Sequence, residues 1–236
     1  MRQREDHHRI LYSLAGALIL VAVMWVIHFV LYSLDIDKSL LANIPRRWEG
    51  LLGILTSPLV HDDFEHLISN SGPLFFFAAA NFYFYPRSSG WVTLGVWLLS
   101  GIWVWLSAPT AAIIGASGVV YGLGAFLFFS GLIRRERSVL LLSLVIALFY
   151  SSMLAGVFPG KTGISWESHL FGALAGVAMA WGFRKVDVRP RKRYAWQDEP
   201  DEEPHDAHAQ WNYRQNWSGA NDLYVPGGEE DQYPDR

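Results

Sequence analysis

Ser88–Ile133, SSGWVTLGVWLLSGIWVWLSAPTAAIIGASGVVYGLGAFLFFSGLI, contains no Asp, Glu, Lys or Arg. One helix needs about 20 apolar residues to cross a bilayer, so a run roughly twice that long must cross and return. Its turn falls at Ser107-Ala108-Pro109-Thr110, where proline interrupts the helical pattern. Two spans, at about 91–107 and 111–133, follow from this stretch alone.

Outward from it, further apolar runs cover about 10–34, 64–85, 139–158 and 166–183. Charge or proline closes them: Pro86-Arg87 after the second, Pro159-Gly160-Lys161 after the fifth and Arg184-Lys185 after the sixth, while Arg134, Arg135 and Arg137 stop the fourth. The expected fold class is an all-α membrane protein, a bundle of six transmembrane helices. A composition of 51% hydrophobic against 17% charged residues agrees. Cysteine is absent, which excludes disulfides, a thiol nucleophile and thiolate metal sites. Ile10–Leu34 is too long for a signal-peptide core and reads as a retained span.

Residues 1–9 form a polar start and residues 186–236, rich in Pro and charge without a sustained apolar face, a mostly disordered tail. The long first loop, 35–63, has Leu40, Leu41, Ile44, Trp48, Leu51, Leu52 and Leu55 at roughly helical spacing. This predicts a short helix in the membrane interface. The start, the 86–90 turn, the 134–137 loop and the 184–193 segment are basic, so both termini are expected in the cytoplasm despite Arg46 and Arg47 in the first loop.

With that orientation the second, fourth and sixth spans all begin on the outer side. The second opens with His66 and Asn70, four residues apart and so on one helix face. The fourth carries Ser117 and the sixth His169. A Ser among small residues is ordinary in membrane helices, where its hydroxyl bonds back to a carbonyl. Four hydrogen-bonding side chains at one depth suggest more. Ser117 is the candidate nucleophile, and His169, the only histidine in the second half of the membrane region, is its candidate base. His66, Asn70 and the Ser117 amide are candidate oxyanion donors. Tyr121, one turn after Ser117, could hold the imidazole. Glu167, Asp62 and Asp63 are badly placed for a third member, so a Ser–His dyad is expected. Gly118 with Gly122, and Gly172 with Gly176, are small-xxx-small pairs that let the fourth and sixth spans approach.

His61-x4-His66-x3-Asn70, Gly115-Ala116-Ser117-Gly118 and Ser168-His169-x2-Gly172-x3-Gly176 resemble the ordered motifs of the rhomboid intramembrane serine proteases. The resemblance covers about residues 10–185. It implies a rhomboid-like six-helix fold with a long interfacial first loop, and an endopeptidase that cleaves transmembrane segments of other membrane proteins without metal or other cofactor. It also implies the Ser117–His169 dyad, the His66, Asn70 and Ser117 oxyanion hole, Tyr121 packed on His169, and a structural His61. Many rhomboids carry Trp-Arg in the first loop; here the order is Arg46-Arg47-Trp48-Glu49. Gly72-Pro73 is expected to bend the second span. Transmembrane proteins and the lipid bilayer are the expected partners, nucleic acid is not, and a bacterial cell membrane is the expected location. The alternatives are a rhomboid-like pseudoprotease that binds membrane clients uncut, and a transporter or metal site built on His61, Asp62, Asp63 and His66.

Overall fold

The computed structural model describes residues 2–108, 112–150 and 165–188. The chain divides into two compact units, Met1–Arg189 and Pro190–Arg236, and the second lies outside the described residues. The helices are α1 (Arg2–Ser33), the single turn α2 (Gly53–Thr56), α3 (Phe64–Phe84), α4 (Ser89–Ser107), α5 (Ser117–Arg134), α6 (Arg137–Phe149) and α7 (Trp166–Gly182). Among the described residues the only extended pairing is an isolated bridge between Asn43 and Ile113.

Among the described residues three helices are long and apolar enough to cross a membrane: His7–Ser33, Ser89–Ser107 and Ser117–Arg134. The other expected spans fall short of that measure for visible reasons. α3 has 21 residues but opens on the polar FEHLISNS, and α7 has 17. α6 ends at Phe149, and residues 151–158 of the expected fifth span lie outside the described residues. α1 begins at Arg2, before its apolar stretch, because Arg, Gln and Glu are good helix formers. The fourth helix starts at Ser117 and not near Ala111; Ile113 is instead held by the bridge to Asn43.

α5 is the central element. Half of its span is buried, against 22% for α1 and 28% for α4. Val119, Val120, Leu123, Phe126 and Leu127 form the core with Leu67, Leu74 and Phe77 of α3 and Val92 and Val96 of α4. α1 contributes one stripe, Ala17, Met24 and Leu31, while Ile19, Val26 and Phe29 face outward. Such outward apolar faces suit lipid, and the chain is an integral membrane protein.

The closest helix approach is between α5 and α7. A Cβ on Gly172 would strike the Gly118 carbonyl, and one on Gly176 would strike the Gly122 carbonyl. Only glycine lets these backbones touch. At the far end of α5, Arg134 Nη2 donates to Phe183 O at 2.7 Å and the guanidinium lies 4.3 Å from the centre of the Tyr85 ring. The buried Tyr85 hydroxyl donates to Glu136.

Two expectations need correction. The first loop holds no single interfacial helix but short helical turns at Lys38–Leu41, Trp48–Gly50, Gly53–Thr56 and Ser57–Leu59, the first parted from the others by Pro45 and by Arg46, whose φ is 56°. Gly50 and Gly53 press on the backbone of Ile44 and Ala42, so the loop folds on itself. Its anchor is Arg46, whose amide donates to Trp105 O at 2.9 Å and whose side chain donates to Ala108 O, while the Trp105 indole donates to Arg47 O. The polar tail, in turn, begins later than 186. The Asp187 carboxylate accepts from the amides of Arg87 and Ser88 and from the Ser88 hydroxyl, joining residues 186–188 to the folded unit. α3 continues through Pro73, with the Tyr150 phenol seated against Gly72.

A methyl at Gly176 must part α5 from α7, whereas one at Gly90 meets nothing within 4 Å. Gly176→Ala is expected to lower stability by about 1–3 kcal/mol. Gly90→Ala should leave it unchanged or raise it by up to about 1 kcal/mol, both read from unfolding in mixed micelles.

Candidate active site

Ser117 is the first residue of α5. Amides at a helix start have no intrahelical acceptor, and the dipole there favours negative charge. The residues before it are fixed from three sides. Gly115 has φ +110°, a conformation that other residues rarely adopt, and its amide donates to Ser57 O at 2.9 Å. The Ala116 amide donates to His61 Nε2 at 3.3 Å. The Asn43 and Ile113 backbones exchange two bonds of 2.9 Å, and the Asn43 side chain donates to Gly101 O.

His66 stands over this turn. Its Nε2 and Cε1 lie 2.7 Å from the position that a Gly115 Cβ would occupy, so glycine is needed for space as well as for backbone angle. Asp63 caps α3 by accepting from the His66 amide at 2.7 Å, which fixes where the imidazole starts. Asn70, one turn on and buried, donates to His66 O at 2.9 Å. That bond uses one of its two amide hydrogens and orients the group.

On α7, Ser165 caps the helix by accepting from the Ser168 amide, and His169 follows, buried in the first turn. Its ring stacks on Tyr121 with centroids 4.1 Å apart and planes 12° from parallel. The neighbouring Ser168 Oγ lies 2.8 Å from where a Gly118 Cβ would be. The glycine contact and the ring stack thus bring the start of α5 and the start of α7 together, Ser117 on one and His169 on the other. Glu167 accepts from the Ser165 hydroxyl at 3.4 Å, a local cap contact.

His61 and His66 meet edge to face, 5.0 Å between centroids. His61 is fully buried, and burial, with His66, His28 and Lys38 nearby, holds its pKa down at about 3. It therefore stays neutral, and Nε2 remains an acceptor for the Ala116 amide. Among the described residues no group of three or more His, Asp or Glu side chains could hold a metal ion. The stack of Tyr121 on His169 and the small-residue contact of α5 with α7 were legible in the sequence. Ser57, Asn43 and the loop pairing around Ile113 were not, because a carbonyl acceptor and a two-residue bridge leave no side-chain pattern.

A family model described as Rhomboid domain matches residues 48–186. An uncharacterized protein of Mycobacterium tuberculosis is 34% identical over 151 residues, 58% of this chain and 61% of its own length. One from Mycobacterium leprae is 31% identical over 199 residues, 76% of this chain and 75% of its own length. The chain thus matches about three fifths of the length of the first of these relatives.

The depressed pKa of His61 has a consequence for stability. Its unfolded form binds a proton near pH 6.5 and its folded form only near pH 3. The contribution is therefore complete above about pH 6.5 and is lost as pH falls toward 3. Between pH 7 and pH 5 the wild type should lose on the order of 2 kcal/mol. His61→Gln, which keeps an acceptor but does not titrate there, should lose less over the same range; the check is unfolding at the two pH values.

Proposed function

The chain belongs to the rhomboid family, and on that premise we propose that it is an intramembrane serine endopeptidase that cleaves transmembrane segments of other membrane proteins. The observation that carries this reading is the stack of Tyr121 on His169 across the α5–α7 contact, one turn from Ser117. In the proposed reaction Ser117 Oγ attacks the scissile carbonyl carbon and His169 takes the hydroxyl proton. Negative charge develops on the carbonyl oxygen, where the Ser117 amide, His66 and Asn70 donate to it. His169 then protonates the leaving amine as the C–N bond breaks. Water, deprotonated by the same imidazole, hydrolyses the acyl-enzyme and restores Ser117. Tyr121 holds the ring by its face, the part an acidic third member holds by hydrogen bond in a triad.

The reading includes six membrane crossings, with α3, α6 and α7 joining the three long spans, both termini in the cytoplasm and a bacterial cell membrane as location. The basic segments and the mycobacterial relatives support this. A substrate helix enters from the lipid and unwinds locally to expose its peptide bond.

In liposomes carrying a transmembrane substrate, Ser117→Ala and His169→Ala are expected to lower turnover at least about a thousandfold, and Asn70→Ala about a hundredfold. Cleavage by Ser117→Ala at the wild-type rate would contradict the proposal. Folded wild type that binds such substrates without cutting them would favour a client-binding role instead.

A further inference from the structure

At the opposite end of α1 from the first loop lies a cavity of about 670 Å³ between α1, α3 and the turn into α4. It belongs to none of the machinery above. We propose that it binds an anionic glycerophospholipid, with Arg9 as the ligand of the lipid phosphate.

The depth fits. The sequence of α1 changes at Ile10 from MRQREDHHR to an uninterrupted apolar run, so Arg9 marks the boundary between water and hydrocarbon, where lipid phosphates lie. The charge fits as well. Arg9 Nε donates to Tyr83 O at 2.8 Å, and the guanidinium lies 5.2 Å from the centre of the Tyr83 ring. These contacts hold the fork in place and occupy one of its five N–H groups. The only ion pair among the described residues is Arg47 with Glu49, so Arg9 has no carboxylate partner among them. Glu5 and Asp6 precede it in the chain, against Arg2 and Arg4 besides Arg9 itself. Across the cavity stands Ser89, the first residue of α4, whose amide is bonded to Tyr85 O at 2.7 Å.

The remaining wall distinguishes a lipid from a free anion. Tyr12 of α1, Phe82 of α3 and Pro86 line it, and Tyr12 is 76% exposed. Inorganic phosphate leaves that surface bare, whereas a glycerol backbone with its first acyl carbons covers it. A guanidinium fork at the mouth and an apolar wall below it match the two ends of one phospholipid.

The test is thermal unfolding of the full chain in neutral detergent, titrated with phosphatidylglycerol, phosphatidylcholine or inorganic phosphate. Phosphatidylglycerol should raise the melting temperature, and the other two should do so far less. Arg9→Gln should weaken the phosphatidylglycerol response about tenfold in apparent affinity. Arg87→Gln, which removes the same charge from an exposed turn outside the cavity, should not. His8→Glu brings a carboxylate to the rim at an exposed position and should weaken the response too, which keeps the test alive if Arg9→Gln fails to fold. Equal responses to phosphatidylglycerol and phosphatidylcholine, or an equal effect of inorganic phosphate, would overturn the lipid assignment. So would wild-type behaviour of both Arg9→Gln and His8→Glu.

Discussion

The structure depends on backbone touching backbone between α5 and α7. Gly118, Gly172 and Gly176 leave no side chain at the contact, so the two helices meet at a separation that side chains would forbid. Lipid offers no hydrophobic gain for bringing membrane helices together, and close packing must supply the attraction. The candidate nucleophile and base each sit one residue from that contact. Gly118 follows Ser117, Ser168 precedes His169, and Tyr121 spans the gap to stack on the imidazole. A shift of one helix by a methyl radius would therefore change stability and the proposed chemistry together.

A second constraint fixes the turn into α5. Three elements far away in sequence hold it: Asn43 by a two-bond bridge, Ser57 through its carbonyl and His61 through Nε2. Buried amides need acceptors, and the neutral, buried His61 supplies one to Ala116. The left-handed Gly115 then turns the chain into α5 directly beneath His66. The first loop, through Arg46 on the end of α4, belongs to the same frame and is not a decoration on it.

The parts of this arrangement that were legible in the sequence are those with a side-chain signature. Uncharged runs gave the helices, small residues four apart gave the α5–α7 seam, and the polar side chains in the opening turns of three helices gave the candidate site. Helix ends were less legible. The start of α5 at Ser117 depends on Ile113 pairing with Asn43, a contact across 70 residues of chain that no local pattern records. The first loop misled for a related reason. Its leucines have helical spacing, but Pro45, the left-handed Arg46 and two glycines pressed on backbone break it into single turns. Asp187 likewise looks like the first charge of a polar tail, and only its three bonds to the 87–88 turn draw it into the fold.

In the proposed mechanism the α5–α7 contact lets His169 activate Ser117. The most direct measurement is covalent labelling of detergent-solubilised protein with a fluorophosphonate, with the adduct mapped by peptide mass spectrometry. One adduct is expected, on Ser117, and it should disappear in His169→Ala while the variant stays folded. Labelling of Ser117 at an unchanged rate without His169, or an adduct on another serine, would contradict it.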